Sequence, residues 1–338
     1  MNSDNSMRAA WFESCGPASE SLKLGTQLKP DAGDGEVLVR IKSSGVNPSD
    51  VKKRAAGAAT QLDEGFIIPH SDGAGIIEAV GAGVSTDRIG ERVWVYQAQF
   101  GRRFGTAAEY LAINQSRAVT LPDMASFETG ACLGIPVMTA HRCVFAEGTV
   151  EGKTLLVTGG AGRVGYYAIQ WAAQAGARVF ATAGNHADGK ICEAAGAIAV
   201  VNHREADWAE QLLRLGGGEK IDRVIDVEFG ANLPQVLKLI NTSGVIVSYS
   251  SMQVPEPRLP FLQMMYLDLT LRLVLVYVMP EQAKQAAIAD ISVALQRESL
   301  QHRIAHRLNL DEIVRSHELV EAGGTGGCVI VHIDGAGN

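Results

Sequence analysis

Leu155-Leu156-Val157-Thr158-Gly159-Gly160-Ala161-Gly162-Arg163-Val164-Gly165 decides how this chain is read. A short apolar run enters a glycine cluster, and an amphipathic stretch with helical spacing follows at 166–175. Gly160, Gly162 and Gly165 fall at the G-x-G-x-x-G spacing, with a strand before them and a helix after. In a dinucleotide site the three glycines act differently. Gly160 permits the tight turn, Gly162 lets the backbone approach a pyrophosphate, and Gly165 allows the helix to pack closely on the strand. Amides at the helix N-terminus then face the anion. The competing reading is a glycine-rich turn without a ligand. A second strand at 178–181 favours the dinucleotide.

Outward from this loop, apolar runs at 155–158, 178–181, 198–201, 223–227 and 245–248 alternate with helix-length amphipathic stretches. Short apolar strands of that kind suit a parallel sheet buried on both faces and wound with helices. Earlier in the chain, runs at 37–41, 76–80 and 92–95 read as strands separated by turns such as Gly81-Ala82-Gly83, the texture of a small β-rich domain. Helix-like stretches at 281–296 and 311–322 and an alternating strand at 327–333 close the chain, and that strand is expected to return to the first domain. The expected division is 1–130, completed by 285–338, around a dinucleotide-binding domain at 131–284. We find no internal repeat or low-complexity segment.

A length of 338 residues is enough for about two domains. Hydrophobic residues at 46% and charged residues at 20% describe a folded globular chain rather than a disordered or collagenous one. The 30 Lys+Arg against 37 Asp+Glu give a formal charge of -7, which argues against a polyphosphate-binding surface and against nucleic acid as a partner. Cys15, Cys132, Cys143, Cys192 and Cys328 are odd in number and widely spaced, so neither a disulfide framework nor a cysteine zinc site is expected. Residues 1–6 are polar and lack the apolar core of a signal peptide, and they are expected to be an extension before a natural start at Met7. The most apolar later stretch, 262–279, carries Asp268 and Arg272 and is broken by Pro280, so it falls short of a membrane span. A cytoplasmic protein with no membrane partner is expected.

Dinucleotide sites for NAD hold the ribose 2′-hydroxyl with an acid at the end of the second strand. Here that strand ends Phe180-Ala181-Thr182-Ala183-Gly184-Asn185, and no acid stands there. A 2′-phosphate would meet no like charge, and Lys190, His203 or Arg204 could supply positive charge from neighbouring loops, unless they are simply solvated. Asp188 counts against this by its nearness. NADP(H) is preferred to NAD(H).

Further motifs run along almost the whole chain: Gly45-Val46-Asn47-Pro48-Ser49-Asp50, Pro69-His70-Ser71-Asp72-Gly73-Ala74-Gly75, Gly90-Glu91-Arg92-Val93, Gly134-Ile135-Pro136-Val137-Met138-Thr139-Ala140 and Val201-Asn202-His203-Arg204-Glu205. Taken in this order, they resemble the ζ-crystallin-like, zinc-independent quinone oxidoreductase branch of the medium-chain dehydrogenase/reductase superfamily. The resemblance implies an α/β protein with a Rossmann doubly wound parallel sheet and a GroES-like β-barrel catalytic domain. It also implies an NADPH-dependent enzyme passing reducing equivalents to a quinone, as a homodimer or homotetramer. Reduction of the double bond of an enone or alkenal is the near alternative. A non-enzymatic structural or RNA-binding protein that holds NADPH is the alternative from another class.

The zinc-dependent relatives carry a metal-binding cysteine where this chain has Asn47, and a Gly-His-Glu where it has His70-Ser71-Asp72. No zinc site is therefore expected, and His70, one place before the ligand position, is read as structural or solvent-exposed. The resemblance puts Asn47 near the nicotinamide, positioning cofactor or substrate oxygen, with Asp50 behind it; a plain turn-forming role before Pro48 is the alternative for Asn47. Lys52 stands where many relatives have tyrosine, either stabilising an oxyanion or a 2′-phosphate or simply solvated. Thr139 matches a threonine at the nicotinamide, and Gly162, Arg163 and Val164 match the pyrophosphate loop that begins with Gly160 and Ala161. Arg163 either adds charge to the phosphate site or points outward. His203 takes the place of a 2′-phosphate contact, with Gly184, Asn185 and Lys190 in the loops around it. Ser250 follows a strand end that faces the ligand crevice, and 277–279 are expected to end the last Rossmann strand as an apolar wall. Residues 53–66 and 97–103 are expected to line the mouth of the substrate site.

Overall fold

The computed structural model describes residues 5–56 and 65–333, and the chain forms two compact units, Met1–Ile135 with Ile288–Asn338 and Pro136–Ala287. In the first unit, β1 (Ser6–Phe12) and β2 (Leu22–Leu28) make an antiparallel ladder with the one-turn helix α1 (Ala18–Ser21) between them. β3 (Glu36–Val46) runs through the middle of a larger sheet and leads into α2 (Pro48–Ala56). β4 (Asp72–Val80), β5 (Arg92–Val95), β6 (Tyr110–Asn114) and β7 (Ala118–Thr120) follow, then α3 (Phe127–Gly130). Alternation explains the long strand: Val37, Val39 and Ile41 are fully buried on one face of β3 while Arg40 is exposed.

The second unit opens with α4 (Met138–Phe145) and then alternates strand and helix: β8 (Thr154–Val157), α5 (Arg163–Gln174), β9 (Arg178–Ala183), α6 (His186–Ala194), β10 (Ala199–Asn202), α7 (Trp208–Leu215), β11 (Ile221–Asp226), α8 (Phe229–Leu239), β12 (Ile240–Ser248), α9 (Phe261–Tyr266) and β13 (Thr270–Leu273). The strands lie in the order β10-β9-β8-β11-β12-β13 and are all parallel. The chain thus winds outward from β8 in one direction, then returns beside β8 as β11 and winds in the other. The C-terminal ends of β8 and β11 flank the reversal point, where ligands sit in doubly wound sheets. Every residue of β8 is buried, which is why an unbroken apolar run, rather than an alternating one, makes this strand.

The last strand differs from its sequence reading. β13 occupies Thr270–Leu273, and Val276–Val278 form a 3-10 turn in which Val278 donates to Leu275. Apolar residues continue to Met279, but β12 stops at Ser248, opposite Leu273, so its ladder with β13 ends where Val274 N donates to the Ser248 carbonyl. Tyr277 and Met279 are nonetheless buried.

α10 (Glu281–Gln296) carries the chain back into the first unit, where β14 (Ile304–Asn309), α11 (Ile313–Ala322) and β15 (Cys328–His332) finish it. β15 pairs antiparallel with β3, Val329 opposite Val46 and His332 opposite Ser43. Val329 and Val331 join Val37, Val39 and Ile41 in one core, so the first unit is closed by residues from both ends of the chain. Among the described residues no helix is long and apolar enough to cross a membrane.

Candidate functional site

In the second unit the glycine loop is built by sterics. Gly159 holds a left-handed backbone (φ 60°), so the tight turn falls there rather than at Gly160. Gly160 is required for packing instead: a Cβ would lie 2.8 Å from Ile169 Cδ1, 2.9 Å from Cys192 Sγ and 3.0 Å from Ala181 Cβ. At Gly165 a Cβ would sit 2.5 Å from the Gly159 carbonyl oxygen, which is what lets α5 lie close to β8. The loop is tied to β9 by Gly159 N to Thr182 Oγ1 (3.0 Å) and Gly160 N to Thr182 O (2.8 Å). α5 begins at Arg163, three residues before its expected start, with exposed Gly162 as an N-cap that offers no side-chain cap. An uncapped N-terminus behind such a turn is suited to an anion. Ala161 is buried, and Arg163 and Val164 are half-buried at its opening.

At the C-terminal end of β9 the chain carries no acid. A Cβ on Gly184 would lie 3.4 Å from Arg204 Nε and 3.5 Å from His203 Cε1, so both basic side chains stand over this strand end. Desolvation and the neighbouring Arg204 push the His203 imidazole below its ordinary value, against the pull of Asp188. A cavity of about 420 Å³ lies beside them, lined by Gly159, Thr182, His203, Arg204, Val227 and Asn232 among others. Asn185 is occupied as the N-cap of α6, accepting from Asp188 N (2.9 Å) and donating to Asp188 Oδ2 (2.7 Å). Lys190 pairs with Glu193 at 2.7 Å on the exposed side of α6, so the structure does not bring it to the His203–Arg204 group. Ser250, two residues past the end of β12, accepts from Phe229 N and Ser248 Oγ through its carbonyl. Thr139 is buried in the first turn of α4.

Asp226 ends β11 at the reversal point, and its role was not read from the sequence. Its Oδ1 accepts from Thr158 Oγ1 (2.6 Å), Asn232 Nδ2 (2.8 Å) and Glu228 N (3.0 Å), clamping the ends of β8 and β11 to the start of α8. Burial raises its carboxyl above the ordinary value despite those three donors.

In the first unit, Asn47 lies where β3 gives way to α2. Its backbone N donates to Asp50 Oδ2 (2.8 Å) in the first turn of α2, and its Nδ2 donates to Asp72 Oδ2 (2.8 Å). The same Asp72 oxygen accepts from Ile135 N at 2.8 Å, so the Asn47 NH2 group and a backbone amide share one carboxyl oxygen. Asp72 is fully buried, its other oxygen has no hydrogen-bond partner, and Gly134 leaves that oxygen its space, since a Cβ there would lie 2.1 Å away. Burial holds the Asp72 carboxyl well above the ordinary range; the two N–H donors oppose this and nearby Asp50 adds to it. Lys52 is exposed on α2 and stands apart from this cluster. The inward lysine is Lys53, whose Nζ donates to Gln99 Oε1 (2.9 Å) and lies 5.9 Å from the centre of the Phe100 ring. Burial lowers its pKa, with Asp50 pulling the other way. Of the expected mouth, residues 57–64 lie outside the described residues. His70 is fully buried, with both ring nitrogens in hydrogen bonds. No group of three or more His, Cys, Asp or Glu among the described residues is arranged to hold a metal.

Residues 33–123 match the alcohol dehydrogenase GroES-like domain family, and residues 164–292 match the family described as zinc-binding dehydrogenase. The quinone oxidoreductase of Rattus norvegicus is 34% identical over 238 residues, 70% of each chain, and that of Pongo abelii is 30% identical over 325 residues, 95% of each. The chain belongs to the quinone oxidoreductase family. It is therefore an oxidoreductase of the medium-chain dehydrogenase/reductase superfamily, with the Rossmann and GroES-like architecture. A mycobacterial protein solved with NADPH superposes with a TM-score of 0.84 at 25% identity, over 97% of this chain and 100% of that one. An NAD-dependent alcohol dehydrogenase superposes with a TM-score of 0.88 at 26% identity, with the same coverage.

Within this quinone oxidoreductase framework, reasoning from sequence missed Asp72, Asp226 and Lys53 as site residues. Lys53 had a signal: a helix starting at Pro48 puts it three residues after Asp50, on the same face, whereas Lys52 is turned away. Asp72 and Asp226 had none of comparable strength, because their partners Asn47 and Thr158 are 25 and 68 residues distant in the chain.

Proposed function

We propose that the protein is a zinc-independent NADPH:quinone oxidoreductase, cytoplasmic and homo-oligomeric. The observation that carries this reading is the Asn47 amide held by buried Asp72 at the position where zinc-dependent relatives have a cysteine ligand. An electron-poor quinone needs a hydrogen-bond donor at the oxygen where negative charge develops more than it needs a Lewis acid. The glycine cradle, the uncapped N-terminus of α5 and the basic end of β9 fit NADPH: a pyrophosphate on the first-turn amides of α5, 163–165, and a 2′-phosphate on Arg204 and His203.

When bound, NADPH supplies the hydride equivalent, and a quinone plus NADPH plus one proton becomes a hydroquinone plus NADP+. The chain's own part is to bind and orient. Asp72 takes one N–H of Asn47 and fixes the amide plane, leaving the second N–H to stabilise the developing quinol oxyanion. Asp50 holds the Asn47 backbone at the mouth of α2. Water delivers the proton.

Loss of reduced-nicotinamide absorbance, followed with benzoquinone, phenanthrenequinone and an alkenal, with NADPH and NADH in parallel, tests the reading. Quinone-dependent NADPH loss that survives dialysis against a chelator is expected. Turnover with the alkenal alone would move the function to double-bond reduction, and activity restored only by zinc would overturn the metal-free part. Tight NADPH binding without turnover, or salt-dependent RNA binding, would point to the non-enzymatic class.

A further inference from the structure

Arg54 of α2, His317 of α11, His70 before β4, Ser44 of β3 and Thr106 are all fully buried, and they form one hydrogen-bonded line through the first unit. Arg54 Nε lies 3.4 Å from His317 Nδ1, His317 Nε2 3.0 Å from His70 Nε2, His70 Nδ1 2.8 Å from Ser44 Oγ, and Ser44 Oγ 2.7 Å from Thr106 Oγ1. Thr106 Oγ1 donates to the Asp72 carbonyl at 2.6 Å. The proton order is set from both ends. A guanidinium only donates, so His317 accepts at Nδ1 and carries its proton on Nε2, and His70 must then accept at Nε2 and donate from Nδ1. A carbonyl only accepts, so Thr106 donates to it, Ser44 donates to Thr106, and Ser44 accepts from His70. The two deductions meet at the same tautomer of His70.

The line ends on the residue that holds Asn47. His70 has a left-handed backbone (φ 77°), a conformation that favours glycine, and its carbonyl accepts from Thr106 N at 3.1 Å. Gly105 presses on the same turn, where a Cβ would lie 2.2 Å from the Pro69 carbonyl oxygen and 2.3 Å from that of His70. The imidazole, hydrogen-bonded at both nitrogens, holds a turn that its own backbone disfavours. We propose that the His70–His317 pair is a positioning element: through Ser44 and Thr106 it fixes the 70–72 turn, and so the place of the Asp72 carboxyl that orients Asn47. This rests on the role given to Asn47 above.

A second proton on His70 would set two N–H groups against each other at 3.0 Å, and one on His317 would set its Nδ1–H against the Arg54 Nε–H at 3.4 Å. Burial pushes His70 down to about 3, and burial, His70 and Arg54 push His317 well below its ordinary value. The charged and titratable groups around the pair are Arg54, Glu321 paired to its guanidinium, and Glu318 and the Cys15 thiol beside it. The pair thus holds position without titrating in the working range.

Thr106→Val keeps the shape and removes the hydroxyl, whereas Thr106→Ser keeps the hydroxyl. Thr106→Val is expected to lower kcat for the quinone by about ten-fold with the NADPH Kd unchanged, and Thr106→Ser to retain most of the rate. The kcat profile from about pH 5.5 to 8.5 should keep its shape in Thr106→Val and in His70→Gly. Equal rates in the two Thr106 variants would overturn the proposal, as would an acid limb that disappears with His70, which would make the pair a proton donor. Histidine 15N spectra should show one ring protonated at Nδ1 and one at Nε2, with neither titrating in that range; an imidazolium there also overturns it. If the wild type transfers no hydride at all, the assignment of function fails, and positioning is still read from the Asn47 side-chain amide resonance. That resonance should move in Thr106→Val and stay in Thr106→Ser, and an unmoved one overturns the proposal.

Discussion

A methyl group on Gly165 would meet the Gly159 carbonyl oxygen at 2.5 Å and the Gly160 Cα at 3.0 Å, backbone against backbone with nothing free to swing away. On Gly162 it would meet only the Gly159 carbonyl oxygen, at 3.1 Å. Gly165→Ala is expected to cost about 1–3 kcal/mol in urea unfolding. Gly162→Ala should keep the wild-type midpoint while weakening NADPH binding, read by nucleotide fluorescence; unchanged affinity would separate the loop from the cofactor. Arg204 stands over the end of β9, where the chain has no acid. Arg204→Glu is expected to raise the KM for NADPH by about ten- to a hundred-fold, the value of one or two charge-assisted hydrogen bonds, and to leave NADH nearly untouched. An equal loss for both nucleotides would contradict a 2′-phosphate site there. The two glycines were legible in the sequence because the atoms that constrain them, those of Gly159 and Gly160, belong to the same strand-turn-helix unit. Lys190 was not, since its pairing with Glu193 depends on which side of α6 it takes.

At the scale of elements, β11 does more than add a strand. Its buried Arg223 donates to the carbonyls of Val144, Glu147 (2.6 Å) and Gly148 (3.2 Å), and so satisfies the C-terminal end of α4, the helix that carries Thr139. Arg223→Met fills the space but leaves those carbonyls without partners, and is expected to cost about 2–3 kcal/mol in urea unfolding. A variant as stable as wild type would show that water replaces the guanidinium. The strand run from β8 to β12 could be read from apolar residues and glycine spacing, because the central strands β8, β9 and β11 are buried almost throughout on both faces. The last strand could not. Residues 270–279 offer several comparable apolar runs, and the choice of Thr270–Leu273 was made by the length of β12 beside it. The direction of β15 likewise depends on β3, some 280 residues earlier in the chain.

For the molecule as a whole, buried titratable groups set the pH response. His70, half-buried His302 and His317 have folded-state pKa values below the unfolded value of about 6.5. Their contribution is present above that pH and is lost as pH falls toward about 3 for His70 and about 4 for His302. Asp72 and Asp226 have raised values, so theirs is full below about pH 4 and is lost as pH rises through the folded values. Urea midpoints are therefore expected to be highest near pH 6 to 7, with the alkaline fall reduced in Asp72→Asn; a fall of unchanged size would remove Asp72 from this account. On the surface, β13 is an edge strand, and Leu273, Leu275 and Val278 are 71%, 55% and 65% exposed. If the chain is the homo-oligomer proposed above and this edge is its interface, Leu273→Lys should shift the sedimentation coefficient toward the monomer, and an unshifted oligomer would place the interface elsewhere. By itself the sequence determined the doubly wound unit, its glycine loop and the acid-free end of its second strand, because steric and hydrogen-bonding constraints there act between near neighbours in the chain. Only the tertiary structure decided that β15 closes the first sheet, that Asp72 holds Asn47, and that His70 meets His317 from 247 residues away. Those contacts depend on where separate backbones come to rest, which no local pattern encodes.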